Sequence, residues 1–302
     1  MKNDTFDADE KLIECVPNFS EGRRQDVIEA IRDTITADGR CELWDYSSDA
    51  DHNRSVFTLA EPADALEETV LRFTAKAAEL IDMRTHEGVH PCIGATDVIP
   101  FIPLKNVTMA ECAALAEKTG KRIAEELGLP VYLYANAART PAHRRLADIR
   151  RGGYHTLKNI ITTDPDRAPD LGPRSLPPAG GVSIGARDFL IAFNVYLDSR
   201  DVSPARIIAK RIRESSGGLP GVQAIGLSVN GLAQVSMNLL NYRKSSMKTV
   251  FEKIKKEADS LGIGLRYSEL IGMLPADALA GTSPEELLIR NFNRQKIIPI
   301  GK

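Results

Sequence analysis

The sequence predicts two α/β subdomains, each a mixed sheet with helices on its outer face, with a ligand groove between them. Short apolar runs that suit strands alternate with longer segments in which apolar residues recur every three or four positions, as on one side of a helix. The second half follows the order β-α-β-β-α-β, which is typical of a split βαβ unit. The length of 302 residues also suits two domains of ~150 residues each.

The composition is that of an ordinary globular chain, with 43% hydrophobic and 26% charged residues. With 39 basic and 41 acidic side chains, the formal charge of −2 gives no reason to expect a nucleic acid or a membrane surface as partner. No apolar run reaches the ~20 residues of a membrane span, and the acidic N-terminus lacks a signal-peptide core. The 4 cysteines are widely spaced and form no CxxC pair, which indicates reduced thiols. We therefore expect a cytoplasmic protein.

The first half predicts five strands and two well-marked helices. One helix covers residues 66–80, where apolar positions are spaced by four and three, and Pro62 is expected in its first turn. The other begins with a capping box formed by Thr108 and Glu111 and ends at Gly128. The strands are predicted at residues 12–16, 41–45, 55–59, 98–104 and 131–135.

A segment rich in proline and glycine, residues 163–181, separates the two halves. Neither a helix nor a strand continues through such a run, so one interpretation is a solvated linker between domains. The other is an ordered segment at the ligand groove, because proline and glycine also form rigid loops that approach a ligand closely. We place the N-terminal domain at 1–181 and the C-terminal domain at 182–302.

The second half predicts four strands and three helices. Its first helix is expected to have Ser203 as N-cap and Pro204 as first residue, and a short last helix begins at Ser283. The other elements are strands at 189–197, 222–229, 232–239 and near 263–267, and a helix at 247–261.

Polar and apolar residues alternate along the predicted strand 232–239. Gln234, Ser236 and Asn238 therefore share one face of the sheet, and the apolar residues between them share the other. A line of uncharged hydrogen-bonding groups suits the recognition of a heterocycle or an amide.

Residues 86–90 form a literal HExxH motif, so a zinc hydrolase is one hypothesis. The local sequence argues against it, because Gly88 weakens a helix and Pro91 moves His90 out of the α region. As a loop residue ahead of a strand, His90 is instead placed to reach a cleft, where its imidazole can exchange protons near neutral pH. A histidine held by backbone hydrogen bonds in a turn is the alternative.

Three other polar segments are candidates for binding. Residues 49–54 offer carboxylates, an amide and a guanidinium, although a solvated loop with Asx turns has the same composition. Residues 16–22 resemble a strand-to-helix turn whose free amides would hold an anion. The arginines of 139–151 are predicted to lie on a solvated helix face or to steer a polyanionic tail.

Many short segments, in one order along nearly the whole chain, together resemble the formiminotransferase family. Members of that family move a formimino group from N-formiminoglutamate to tetrahydrofolate. The matching segments are residues 14–22, 53–54, 81–83, 88–91, 94–103, 124–128, 130–134, 168–173, 185–187, 192–194, 222–226 and 232–240.

The resemblance implies a homodimer that binds folate in a positively lined groove between two subdomains. It implies His90 as the catalytic acid–base residue, tetrahydrofolate as co-substrate and no metal. Because the chain ends at Lys302, it leaves no room for a fused cyclodeaminase domain, and we expect a monofunctional enzyme. The folate-binding stretch is expected at Gly172, Pro173, Arg174, Ser175, Leu176, Pro177, Pro178, Ala179 and Gly180. Further contacts to pterin or glutamate are assigned to Asn18, Asn53, Arg54, Asp97, Gln234, Ser236 and Asn238.

The chain departs from the family pattern at three places. The family commonly has His-Pro-Arg where this chain has His-Pro followed by Cys92, and a cysteine cannot replace a bidentate guanidinium. Ser47 replaces an acidic residue of some members, so Asp49 or Asp51 is the carboxylate partner of the histidine, or it has none. The stretch 172–180 is one residue shorter than in some relatives and lacks their aromatic residues. A formyl donor (N-formylglutamate or 5-formyltetrahydrofolate) and folate binding without turnover therefore stay open as alternatives.

Overall fold

The computed structural model describes residues 6–7, 9–88 and 91–299. The chain divides into two compact units, Met1–Arg187 and Asp188–Lys302. Each unit has its own sheet and its own buried apolar core, which confirms the predicted pair of α/β subdomains. Over the described residues, no helix has both the length and the apolar character needed to span a membrane.

The first unit alternates strands and helices through most of its length. Its described strands are β1 (Leu12–Cys15), β2 (Asn18–Phe19), β3 (Glu42–Asp49), β4 (Arg54–Pro62), β5 (Thr96–Lys105), β6 (Val131–Ala135) and β7 (Val182–Ala186). Its described α-helices are α1 (Gln25–Ile35), α2 (Leu66–Leu80), α3 (Met109–Leu127), α4 (Leu146–Ile149) and α5 (Gly153–Ile160).

The sheet of the first unit is mixed. Its strands lie in the order β3, β4, β1 with β2, β5, β7 and β6. Strands β1 and β2 each pair antiparallel with β4 on one side and β5 on the other, and Pro17, which has no N–H to donate, lies between them. Strand β7 is parallel to both β5 and β6.

Apolar packing covers both faces of this sheet near β6. Val131 and Leu133 join the main core with helices α1 to α3, whereas Tyr132 and Tyr134 join a smaller cluster with α4 and α5. The alternation follows from the two-residue period of a strand. The capping box predicted at the start of α3 is confirmed, because the side chains of Thr108 and Glu111 each accept a hydrogen bond from the backbone N–H of the other.

The second unit has the predicted β-α-β-β-α-β order. Its sheet runs β11, β8, β10, β9 and is antiparallel at every pairing, so it is not mixed as the sequence analysis expected. Strands β1, β3, β4 and β5 of the first unit repeat this arrangement, with β5, β1, β4 and β3 as successive neighbours. The elements are β8 (Ile191–Leu197), α6 (Ser203–Ile212), β9 (Val222–Val229), β10 (Leu232–Leu239), α7 (Met247–Ser260) and β11 (Leu265–Ile271).

Three predicted helix starts differ from the structure. Pro62 is the last residue of β4 and not part of the first turn of α2. Ser203 is already the first residue of α6, whose N-cap is Val202 and has no side-chain cap. The segment that begins at Ser283 forms hydrogen-bonded turns instead of a helix.

The segment 163–181 is ordered within the first unit and does not link the two units. The N–H groups of Met83 and Ala95 donate to the carbonyls of Pro178 and Ala179 at 2.8 and 2.7 Å. The first unit also extends through Arg187, beyond the expected end at residue 181, because β7 pairs inside its sheet.

Candidate active site

Polar side chains from three loops of the first unit, and from the first residues of β4 and β5, line one narrow pocket. One loop follows β2, the second joins β3 to β4, and the third joins α2 to β5. We call this the inner pocket, and its described lining is Ser20, His52, Asn53, Arg54, His86, Cys92 and Asp97.

A larger cavity of about 400 Å³ adjoins the inner pocket, and His86 and Cys92 line both. We call it the outer cavity. It lies at the start of α5, where Gly152 and Gly153 both have positive φ. Its described lining is Met83, His86, Glu87, Gly88, Pro91, Cys92, Gly152, Gly153, Tyr154 and His155.

Asn53 ties the three loops together. Its Oδ1 accepts a hydrogen bond from the N–H of Gly22 at 2.9 Å, and its Nδ2 donates to the carbonyl of Glu87 at 3.0 Å. Its φ of 47° lies in the left-handed region, which asparagine tolerates better than most residues. A Cβ at Gly22 would lie 2.2 Å from the carbonyl oxygen of Asp49, so only glycine fits where these two backbone segments approach each other.

The amides of residues 22–24, in the turn that follows β2, are already hydrogen-bonded within the protein, contrary to the expectation of free amides for residues 16–22. The N–H groups of Arg23 and Arg24 both donate to Oε1 of Glu21 at 2.9 Å, and the N–H of Gly22 is held by Asn53. The protein's own side chains therefore satisfy these donors.

Asp97 is the buried carboxylate of the inner pocket, with 2% of its side chain exposed. Its Oδ1 accepts a hydrogen bond from the N–H of Ile93 at 2.8 Å, and its Oδ2 forms an ion pair with the guanidinium of Arg150. Arg54 interacts electrostatically with both Asp97 and Arg150. Burial and the neighbouring Arg150 lower the pKa of Arg54.

Burial sets the protonation of the other titratable groups in the pocket. It lowers the pKa of His86, which favours the neutral imidazole, and the amide Nδ2 of Asn53 lies 3.3 Å from Nδ1 of that ring. It raises the pKa of Cys92 to about 12, with Asp97 as a further cause. Neutral forms of both groups therefore dominate near pH 7.

His52 and Asp49 form a pair at the edge of the inner pocket. Nδ1 of His52 lies 3.0 Å from Oδ1 of Asp49, and the His52 N–H donates to the same oxygen at 2.8 Å. Burial acts to raise the pKa of Asp49, but the hydrogen bonds from His52 outweigh it, so that this pKa is lowered. Asp49 is thus engaged with a histidine other than His90.

The stretch 172–180 contacts two residues of the outer cavity. Pro178 accepts a hydrogen bond from the N–H of Met83, and Pro177 accepts one from Oη of Tyr154 at 3.3 Å. Leu176 packs against the apolar cores, whereas Arg174 and Ser175 are exposed.

The remaining predicted contact residues lie elsewhere. Asn18 lies in β2, and its Nδ2 donates to the carbonyl of Val16 at 3.1 Å, without lining either cavity. Gln234, Ser236 and Asn238 alternate along β10 with the apolar residues that fill the core of the second unit, which confirms their shared face. Tyr196 of the neighbouring β8 is hydrogen-bonded to Gln234.

His90, the predicted catalytic residue, lies outside the described residues. Residues 86–88 of the HExxH motif are irregular and not helical, so the helix that a zinc protease needs is missing there. Among residues 6–7, 9–88 and 91–299, no three His, Cys, Asp or Glu side chains are grouped as metal ligands.

Ser20, His86 and Arg150 were not predicted individually as contact residues, although Ser20 and Arg150 lie in segments that were candidates for binding. Ser20 Oγ donates to the carbonyl of Gly94 at 2.7 Å, which joins the loop after β2 to the loop before β5. His86 was visible only as part of the HExxH motif, and Arg150 only as one of five arginines. An ion pair between residues so far apart in sequence leaves no local signal.

Comparisons with protein families identify both units. A family model described as "Formiminotransferase domain, N-terminal subdomain" matches residues 12–187, and one described as "Formiminotransferase domain" matches residues 192–293. The two matches meet near the boundary between the two compact units.

Curated proteins with similar sequences carry related names. A glutamate formimidoyltransferase of Streptococcus pyogenes is 42% identical over 95% of this chain and 97% of its own length. One of Thermoplasma acidophilum is 41% identical over 95% of this chain and 96% of its own length. A formimidoyltransferase-cyclodeaminase of Mus musculus is 42% identical over 89% of this chain and 51% of its own length.

Proposed function

Because the chain belongs to the formiminotransferase family, we propose that it transfers a formimino group from N-formiminoglutamate to N5 of tetrahydrofolate. The products are 5-formiminotetrahydrofolate and glutamate. The observation that carries this proposal is the 42% identity to a glutamate formimidoyltransferase over nearly the full length of both chains.

The reaction needs one group that both accepts and returns a proton. N5 attacks the formimino carbon, and the tetrahedral intermediate then expels the amine of glutamate. We assign His90 to take the proton from N5 and to return it to the departing nitrogen, a role worth ~10²–10⁴-fold in rate. Gly88 and Pro91, which flank it in sequence, both line the outer cavity, and this supports the assignment.

The outer cavity supports binding of a small organic substrate. Its volume of about 400 Å³ falls within the range of small-molecule sites, roughly 300–1,000 Å³. Met83 and Tyr154 join it to the stretch 172–180, which we assign to folate. Asn53 and Arg54 of the inner pocket are assigned to bind the donor directly, and Asp97 is assigned to the same donor site, beside Arg54.

Two further assignments, one of contact residues and one of oligomeric state, belong to the same proposal. We assign Asn18, Gln234, Ser236 and Asn238 to the polar parts of the pterin or the glutamate tail, since amide and hydroxyl groups pair with such heterocycles. We also propose that the protein is a homodimer, as the family resemblance implies. Light scattering on purified protein measures the mass, and a monomer at working concentrations would contradict the dimer.

A transfer assay tests the proposed reaction. Purified protein is mixed with tetrahydrofolate and N-formiminoglutamate, and the product is followed by its absorbance. N-formylglutamate and 5-formyltetrahydrofolate are tested in parallel, because Cys92 stands where the family commonly has an arginine, and this favours a formyl donor as the second candidate. Turnover with a formyl donor alone would replace the first candidate, and folate binding with no turnover would reduce the protein to a binder.

A variant tests the role of His90. His90→Asn should lower kcat by ~10²–10⁴-fold while tetrahydrofolate affinity, measured by fluorescence quenching, stays within about threefold. Retained turnover would remove the acid–base assignment. Loss of folate binding together with turnover would show a binding role instead.

A further inference from the structure

Both oxygens of Asp97 already have a partner inside the protein. Its Oδ1 is held by the N–H of Ile93 at 2.8 Å, and its Oδ2 by the guanidinium of Arg150. Only 2% of the Asp97 side chain and 12% of the Arg150 side chain are exposed. The negative charge of Asp97 is therefore compensated inside the protein, and water screens the pair weakly.

Arg54 is the second guanidinium of this group, and it has no such partner. Within the part of the chain that the structure describes, its side chain makes no hydrogen bond and no ion pair. It is half-buried and lines the inner pocket with uncharged groups such as those of Ser20, Asn53 and Cys92. Arg54, Arg150 and Asp97 together carry one excess positive charge.

A half-buried guanidinium without a partner is an incomplete arrangement. Such a group loses part of its hydration. For Arg54, the attraction of Asp97 and Asp49 does not outweigh this loss, and a bound anion would add to that attraction. Arginine presents a planar fork that matches a carboxylate with two parallel hydrogen bonds. The donor in the proposed function carries carboxylates, and so does its glutamate product.

We propose that Arg150 is a positioning residue that holds Asp97 away from Arg54 and so leaves the Arg54 guanidinium to bind a carboxylate of the glutamate donor. The inference rests on the proposed function for the identity of the donor. The outer cavity has the volume for the body of such a molecule, and the inner pocket meets it at His86 and Cys92. The inner pocket has no space for a water molecule in the unliganded protein, so the carboxylate must displace side chains of its lining to reach Arg54.

The arrangement depends on the charge of Arg150. Without that charge, Oδ2 of Asp97 becomes the uncompensated anion nearest to Arg54, and the two side chains neutralise each other. The ligand carboxylate then meets a closed ion pair instead of a free cation. If Asp97 is made neutral as well, Arg54 is free again, although the Arg150 ion pair is still absent.

Calorimetric binding of L-glutamate to the full-length protein tests the inference without turnover. Arg150→Gln should weaken binding by about 30-fold, which corresponds to about 2 kcal/mol. Arg150→Lys keeps the charge beside Asp97 and should stay within about threefold of the wild type. The double variant Asp97→Asn/Arg150→Gln should recover most of the loss, which a merely structural role of Arg150 would not produce.

The matched control is Arg139→Gln, which removes an exposed arginine paired with Glu117 outside both cavities. Its glutamate affinity should equal that of the wild type. Equal affinity in Arg150→Gln, or equal loss in the single and double variants, would overturn the inference, as would a wild type that does not bind glutamate.

Steady-state kinetics separate this inference from the proposed function. If transfer occurs, Arg150→Gln should raise KM for the donor by about 30-fold and change kcat by less than about threefold. If transfer fails but the glutamate-binding pattern holds, the proposed reaction is wrong and the role of Arg150 stands. If transfer occurs and Arg150→Gln leaves KM unchanged, only the role of Arg150 is wrong.

Discussion

The backbones of Gly94 and Gly180 meet in an isolated antiparallel bridge, and a Cβ at Gly180 would lie 2.6 Å from Cα of Gly94. This approach fixes the stretch 172–180 against the segment that leads into β5. Side chains at either position would force the two segments apart, so glycine is required by the distance between the backbones.

Gly94→Ala should therefore destabilise the protein and disturb folate binding. Its Cβ would lie 2.0 Å from the carbonyl oxygen of Gly181, so one backbone segment must move. We expect the free energy of unfolding, measured with urea, to fall by about 1–3 kcal/mol. Gly264→Ala is the control, since its Cβ would meet no atom closer than 3.9 Å. Equal stability of the two variants would contradict the tight crossing.

Asn53→Gly tests the hydrogen bonds of the Asn53 side chain without straining the left-handed backbone at this position. Glycine adopts the φ of 47° without strain, but the bonds to Gly22 and Glu87 are lost. We expect the free energy of unfolding to fall by about 1–3 kcal/mol, with a matching fall in kcat/KM. Asn230→Gly, at an exposed turn with φ 50°, should change stability by less than about 0.5 kcal/mol. A similar loss in both variants would show that the amide of Asn53 is not needed.

Cys92 should be slow to react with alkylating reagents. Its pKa is raised to about 12, so the thiolate that reacts is scarce at pH 8. We expect iodoacetamide to modify it at least ~100-fold more slowly than free cysteine, followed by mass spectrometry of peptides. In denaturant the 4 cysteines should all react at the ordinary rate. Rapid modification of Cys92 in the folded protein would show that its thiol is more exposed than the structure indicates.

Stability should depend on pH through Glu61, which is fully buried in β4. Burial raises its pKa to about 7, even though Oε1 accepts a hydrogen bond from Thr69 at 2.8 Å. Because the folded-state pKa lies above the unfolded value of 4.5, the stability that Glu61 contributes is full below pH 4.5 and is lost as the pH rises towards 7. The free energy of unfolding of Glu61→Gln relative to that of the wild type should therefore rise by more than about 1 kcal/mol between pH 4.5 and pH 8, measured by urea unfolding.

Glu67 provides the opposite case for the same experiment. It is buried, but ion pairs with Lys118 and Arg122, both at 2.8 Å, outweigh burial and lower its pKa. The stability that Glu67 contributes is present above its pKa in the unfolded chain and is lost as the pH falls. Glu67→Gln should therefore lower the free energy of unfolding at pH 7 and lower it less at low pH. The same pH trend in both variants would contradict the assignment of Glu61.

Local patterns predicted most of the fold. The bounds of β6, β9 and β10 agree with the predicted strands to the residue, because each is a short apolar or alternating run that follows a glycine or a proline. The sequence predicted Pro204 as the first residue of α6, one residue late. In the structure Ser203 is already helical and Val202 is the N-cap, a difference that lies only in the backbone dihedral angles at these positions. Helix caps of this kind depend on one pair of dihedral angles, which sequence patterns specify poorly.

The site was harder to predict than the fold. Asn53, Arg54 and Asp97 were assigned to the substrate and do line one pocket, because β2 pairs with both β4, which begins at Arg54, and β5, which contains Asp97. Arg150 was predicted, with the other arginines of 139–151, to lie on a solvated helix face or to steer a polyanionic tail. Its true partner, Asp97, is set by how α4 packs beside β6, and such tertiary contacts have no signature in a short window.

The amide of Asn53 has a consequence for how fast a ligand binds. It joins three loops before any substrate is present, so the entropy lost in ordering them belongs to folding and not to binding. These loops are preorganised, so a ligand that binds there should not have to wait for loop closure.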